Sequence, residues 1–203
     1  NVKTICSHLA DSTNEPFTKN QMNNFDFICD YFMKNYHSKI ERHLFNSKAT
    51  IKYKNKYELV RLGIGLFGVT NNKGLHQIST MTSVVSQIKI INQGEFVGYG
   101  MNYCSKERVK IGIIPFGYAD GIYEKKNSDN YYVFIKNNKY KVIGDISMDS
   151  LAVNLENSKI EEGDKVILFD SNYTIKEIAK SCNTSEYEML SKLNRRIKRE
   201  YYS

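Results

Sequence analysis

Hydrophobic and polar positions change rhythm once along this chain. The opening run Val2-Lys3-Thr4-Ile5-Cys6 predicts a short buried strand, closing at Ser7-His8-Leu9-Ala10. A loop rich in Asp, Ser, Thr and Asn follows. Thr18 with Gln21 makes a capping box, and Phe17 with Met22 a hydrophobic staple, so a helix is expected to start there. Met22, Phe25, Ile28, Cys29, Phe32 and Met33 recur at helical spacing and predict its buried face. His43-Leu44-Phe45-Asn46-Ser47 is expected to be a strand end and loop. Leu59 to Phe67 is a further apolar stretch, broken by Gly63 and Gly65. Strand, helix and strand thus alternate through Phe67, as in βαβ units.

After Asn71-Asn72-Lys73-Gly74 the pattern turns to β. Ser83 to Ile91 and Val109 to Ile114 alternate or run apolar. Tyr131 to Lys141 predicts a hairpin with its turn at Asn137-Asn138, and Lys165 to Phe169 a strand after the turn Glu162-Gly163-Asp164. Thr174 with Glu177 caps a helix carrying Ile175, Ile178, Ala179 and Cys182. A last helical piece carries Tyr187, Met189, Leu190 and Leu193. The expected boundary divides residues 1–75 from 76–203. No internal repeat or low-complexity tract interrupts either part.

Composition narrows the class. Hydrophobic residues make up 41% and charged residues 25% of 203, which excludes a disordered chain, and no apolar run is long enough to span a membrane as a helix. The first residue is Asn1 and no signal-peptide pattern follows, so a piece of a longer, cytoplasmic chain is expected. The balance of 29 basic against 22 acidic residues gives +7. The basic residues are scattered, which points to a solvated surface and to neither nucleic acid nor membrane as partner. The one dense cluster, Lys192 to Arg199, is expected to end a helix, where cations suit the dipole. Cys6, Cys29, Cys104 and Cys182 lack metal or dithiol spacing and are expected as reduced thiols, with no metal site.

Two tyrosines are set in glycine: Val97-Gly98-Tyr99-Gly100 and Gly117-Tyr118-Ala119-Asp120-Gly121. Glycine weakens a strand unless a bend, bulge or close approach needs it. A phenol on such backbone can face a cleft and handle protons. Asp120 suits either a turn or a ligand, since Asp-Gly is itself a turn signal. On the α/β side, His8, Asn46-Ser47 and Arg61-Leu62-Gly63-Ile64 stand at expected strand ends, the face where parallel barrels place their sites. The Ser47 hydroxyl and bare amides at Gly63 and Ile64 could cradle a phosphate, with Arg61 beside whatever carries it. His43 either joins Arg61 or does not. His37 and His76 are expected at the surface.

These segments, with Met148-Asp149 and Thr184-Ser185-Glu186-Tyr187-Glu188, resemble in order and spacing the C-terminal half of a bacterial alanine racemase, a fold-type III pyridoxal-phosphate enzyme. The resemblance spans almost the whole chain. It implies an α/β plus β fold: the second half of a (β/α)8 barrel in residues 1–75, which bind pyridoxal 5'-phosphate, then a mainly β C-terminal domain in 76–203 that supplies the catalytic tyrosine. A whole barrel takes roughly 250 residues, so its first half, with the Schiff-base lysine, is expected to be missing. No lysine here matches that motif, and the fragment alone should be inactive.

By this resemblance His8 neighbours the cofactor, Ser47, the Gly63 and Ile64 backbone and Tyr187 bind its phosphate, and Arg61 faces the pyridine nitrogen. Tyr99 is the catalytic base opposite the lysine, supplied to the other subunit of a homodimer. Tyr118 is a gate, the Met148 amide a substrate carboxylate anchor, and Asp149 lines the entryway. The implied activity is an isomerase interconverting L- and D-alanine for peptidoglycan. A racemase of another amino acid such as serine, a non-catalytic binding or relic domain, and fusion to a cell-wall ligase remain open.

Overall fold

The computed structural model describes residues 2–36, 39–70, 74–122 and 131–202, which form two units, residues 1–76 and 77–203. The first unit runs β1 (Thr4–Cys6), α1 (Glu15–Tyr36), β2 (Glu41–Asn46), α2 (Ser47–Lys52) and β3 (Leu59–Arg61). The strands pair in parallel in the order β1-β2-β3, as βαβ crossovers require. α1 starts earlier than its capping signal predicted. The Asn14 side chain accepts from Phe17 N, and Glu15-Pro16 opens the first turn, where proline's missing N–H costs nothing. Thr18 is instead fully buried inside the helix, its hydroxyl donating to the Asp11 carbonyl. Gln21 reaches back to accept from Ala10 N.

The helix packs Phe25 and Cys29 into a core with Leu9, Ile40, Leu44, Phe45, Ala49 and Tyr57. Each such aliphatic or aromatic side chain contributes roughly 1.5–3 kcal/mol by leaving water. Ile28, expected on that face, is exposed, because it falls on the flank with Phe27 and Tyr31. β1 is half-buried to exposed, not buried, and ends at Cys6, which leaves His8 on the following loop. Asn46-Ser47 is no loop: β2 enters α2 directly, with Asn46 as N-cap accepting from Ala49 N at 3.0 Å.

The second unit begins with β4 (Met81–Val84) and β5 (Gln87–Ile91), so the expected single stretch from Ser83 is two strands. It continues through β6 (Phe96–Val97), β7 (Tyr103–Cys104), β8 (Val109–Ile114), β9 (Tyr132–Ile135), β10 (Asn138–Ile143), β11 (Leu151–Glu156) and β12 (Lys165–Phe169). It ends in α3 (Ile175–Ser181) and α4 (Glu186–Lys192). Seven strands form one antiparallel sheet in the order β4-β12-β9-β10-β11-β8-β5, and β6 and β7 form a separate ribbon. The edge strands β4 and β5 are consecutive. Val85 N–H bonds Asp164 O beside β12, and Ser86 N–H bonds Ile113 O in β8. The sheet therefore curls until its ends meet at this corner, which leaves few open strand edges. Val133, Ile135, Val142, Val153, Leu155, Val166 and Leu168 are fully buried within this unit.

The β9–β10 turn is Lys136-Asn137, with φ of 49° and 64°, one residue before the expected Asn137-Asn138. Two left-handed residues match the twist of a two-residue hairpin, and register follows from which pair can adopt them. The Thr174 capping box is as expected, with Ile175, Ile178, Ala179 and Cys182 buried. Of the basic cluster only Lys192 ends a helix, in the last turn of α4, and residues beyond Leu193 are non-helical.

Candidate functional site

In the first unit the ends of β2 and β3 lie side by side, with Asn46 paired to Arg61. Ser47, 3% exposed, is held at the start of α2, and its Oγ accepts from Gly63 N at 3.0 Å and Gly65 N at 3.1 Å. The Gly63 amide is thus not bare, contrary to expectation; it is spent on Ser47. The Ile64 N–H has no acceptor among the described residues. A hydroxyl carries one proton and two lone pairs. With both lone pairs engaged by backbone, Ser47 keeps its proton to donate. The donor set that remains, one hydroxyl and one amide, suits an anionic oxygen.

Arg61 Nη2 donates to the Ser7 carbonyl and lies 3.2 Å from His8 Nδ1. A guanidinium only donates, so Nδ1 accepts and the ring proton belongs on Nε2. Two of the expected cofactor residues are thereby one hydrogen-bonded pair. His43 does not join them: its carbonyl accepts from Ser7 N, and its ring makes no hydrogen bond among the described residues. His76 is exposed as expected, and His37 lies outside the described residues.

In the second unit Tyr99 stands on a 3-10 turn, Tyr99–Met101, between β6 and β7, and is 73% exposed. Gly98 enters the turn with φ 80° and ψ −176°, a conformation almost reserved for glycine. Its backbone approaches the Asp145 peptide so closely that a Cβ would lie 3.1 Å from Asp145 N and O. Asn102 Nδ2 donates to Asp145 Oδ2 at 2.5 Å, which pins the far end of the turn. The phenol is thus raised out of the sheet by backbone geometry and kept from packing into its own core.

Tyr118, 36% exposed, occupies a second 3-10 turn, Tyr118–Asp120. Tyr118 N donates to Ser147 O at 3.1 Å and Ala119 N to Met148 O at 3.0 Å. Asp120 is a turn residue, one of its two expected readings, and a buried one. It is 7% exposed, and its carboxylate accepts from Gly117 N at 2.9 Å and Arg196 Nε at 2.7 Å. Burial alone would push this carboxyl up; the Arg196 and Gly117 donors outweigh burial and hold it below its ordinary value. Arg196 Nη2 also donates to Asp149 Oδ1 at 2.7 Å. Met148 is exposed, and its N–H has no acceptor among the described residues. Tyr187 is half-exposed in the first turn of α4, whose N-cap Ser185 accepts from Glu188 N.

Tyr118, Met148 and Asp149 are therefore brought together, whereas Tyr99 sits on its own ribbon. Sequence reasoning missed Arg196, Asn102 and Asp145. Arg196 binds partners 76 and 47 residues away, and no local pattern announces such a pairing. None of the four cysteines forms a disulfide among the described residues; Cys29 and Cys182 are buried, Cys6 and Cys104 exposed. Among the described residues no His, Cys, Asp and Glu side chains cluster as a metal would need, and no helix is long and apolar enough to cross a membrane.

A parallel α/β unit with polar strand ends, followed by a curled antiparallel unit that presents phenols on docked turns, defines a two-part α/β-plus-β protein. Residues 1–71 match the family model for the alanine racemase N-terminal domain, and residues 78–201 that for the alanine racemase C-terminal domain. The chain belongs to the alanine racemase family, and its fold is of that type. The alanine racemase of Borreliella burgdorferi strain ZS7 is 34% identical over 208 residues, covering 97% of this chain and 55% of that protein. Alanine racemase of Clostridium difficile 630 in complex with cycloserine superposes with a TM-score of 0.86 at 30% identity, covering 97% of this chain and 55% of that one. The Bartonella henselae alanine racemase with covalently bound pyridoxal phosphate gives a TM-score of 0.85 at 25% identity, covering 100% and 57%. The chain spans only 55% to 58% of the length of the curated relatives it matches.

Proposed function

We propose that the intact protein carrying this chain interconverts L- and D-alanine for peptidoglycan synthesis, using pyridoxal 5'-phosphate, and acts as a homodimer whose sites are shared between subunits. On this reading residues 1–75 are the second half of a (β/α)8 barrel, and 76–203 are the mainly β domain that supplies the catalytic tyrosine. The observation that carries the proposal is the exposed Tyr99 phenol on its glycine-built turn in a chain of this family. The relatives seen with cycloserine and with covalently bound pyridoxal phosphate support the substrate and cofactor halves of it. The family match runs against the relic reading.

The donor chemistry fits the cofactor. Ser47 keeps a hydroxyl proton and Ile64 an N–H without an acceptor among the described residues for a phosphate oxygen, and the Gly63 backbone shapes their corner. When bound, pyridoxal phosphate withdraws electrons from the α-carbon and makes its proton removable. Arg61 would face the ring nitrogen, to which a guanidinium, having donors only, would offer a hydrogen bond. His8, accepting from Arg61, holds the guanidinium in place. Tyr99 Oη takes and returns a proton on one face of the substrate, and a lysine of the intact protein outside these residues serves the other face. The Met148 amide anchors the substrate carboxylate, Tyr118 narrows the approach, and Asp149 lines it.

Incubating the intact protein with L-alanine in heavy water and resolving the enantiomers over time tests the reading. Both enantiomers should accumulate with deuterium at the α-carbon. Tyr99→Phe should slow exchange by about 10²–10⁴-fold while cofactor absorbance persists. Unchanged L-alanine turnover in Tyr99→Phe would remove Tyr99 from its role.

A further inference from the structure

We propose that Arg196 is a positioning residue for binding of an amino-acid carboxylate: it ties the Tyr118 turn to the Met148–Asp149 turn and offsets part of the charge of Asp149. The inference rests on the substrate-binding reading of those turns. Three segments far apart in sequence meet here. Nε of Arg196 serves the buried Asp120 at 2.7 Å, and Nη2 of the same planar group serves Asp149 at 2.7 Å. The strap that presents Arg196 is itself fixed to the Tyr118 turn, because Asn194 N donates to Asp120 O at 3.1 Å and Asn194 Oδ1 accepts from Arg196 N at 3.0 Å. On the other side, the carbonyls of Ser147 and Met148 accept the Tyr118 and Ala119 amides. A lysine cannot replace this fork, since an ammonium is a point charge without two fixed edges.

The charge argument is separate from the geometric one. Asp149 adjoins Met148, whose N–H has no acceptor among the described residues. A bare carboxylate there would oppose any anionic group approaching that amide. The ion pair with Arg196, shared with Asp120, weakens that opposition at the amide. Arg196 thus governs how well a carboxylate is received, without touching it.

Arg196→Leu, Arg196→Lys and the double variant Arg196→Leu/Asp149→Asn, made in the intact protein, separate the two arguments. Amide hydrogen exchange at Tyr118 and Ala119 should rise about tenfold in Arg196→Leu and also in Arg196→Lys, which keeps the charge if the leucine variant does not fold. KM for alanine should rise about tenfold in Arg196→Leu, with kcat within about twofold of wild type. Adding Asp149→Asn should recover most of the KM and none of the exchange protection. Unchanged exchange in both single variants overturns the tie between turns, and a double variant no better in KM than Arg196→Leu overturns the charge role. If the wild-type protein does not turn over alanine, the racemase reading fails instead, and the exchange arm still decides the tie.

Discussion

Tyr99 and Tyr118 each occupy a three-residue 3-10 turn entered from a glycine, yet the two glycines answer different demands. Gly98 is needed for its dihedrals: φ is 80°, and the positive region continues at Gly100 and Met101. Gly117 has an ordinary extended φ of −137° and is needed for space, since a Cβ would come within 2.3 Å of the Ser147 and Met148 carbonyl oxygens. The Tyr99 turn is held at its edges and leaves its phenol outside. The Tyr118 turn is docked along its backbone and sealed by a buried carboxylate. Similar local sequence therefore yields one far-projecting tyrosine, 73% exposed, and one that is 36% exposed, and the difference lies in what each turn packs against.

The comparison can be broken most directly at Gly117. Gly117→Ala forces backbone against backbone and should cost about 3 kcal/mol, on the order of 10 °C in the melting midpoint of the second unit; a wild-type midpoint would show that the close approach is not maintained. Gly98→Ala should cost about 2 kcal/mol for the glycine-only conformation, read by denaturant titration, and a change below ~0.5 kcal/mol would mean that the turn relaxes. Asn102→Ala removes the bond to Asp145, whose Oδ1 is already buried without a partner among the described residues, and should cost about 1 kcal/mol. Its signature is altered mobility at Tyr99 and none at Tyr118, seen by site-resolved NMR. Acid should act the other way round. Asp120 has a depressed folded pKa, so its contribution is complete above the ordinary value of 3.8 and fades as pH falls through the lowered one. Tyr118 should therefore loosen only below about pH 4, and loosening that begins near neutrality would contradict the pairing with Arg196.

Much of this architecture is legible in the residues. Apolar spacing marks α1, the parallel strands and the β-rich second part, and the Thr174–Glu177 box marks the start of α3. The two tyrosine turns announce themselves through glycine. The start of α1 is not legible, because Asn14, Glu15 and Pro16 compete with an equally good signal at Thr18, and burial of Thr18 decides between them. The Lys136-Asn137 turn differs from its neighbour by one residue, and strand register, a pairing property, settles it. In the candidate site the residue types at Ser47, Arg61, Tyr99 and Tyr118 stand out, but their partners do not.

Local chemistry is written in near neighbours: a periodic apolar face, a cap three residues away, a glycine where a side chain cannot go. Those features of this protein depend on short stretches of chain, and the sequence alone determined them. Contacts between distant segments follow from how whole elements pack. The spending of the Gly63 amide on Ser47, the Arg61–His8 pair and the Arg196 bridge from Asp120 to Asp149 are of that kind. Only the tertiary structure decided them, because a buried charge or amide takes whichever partner the surrounding packing brings within hydrogen-bonding distance.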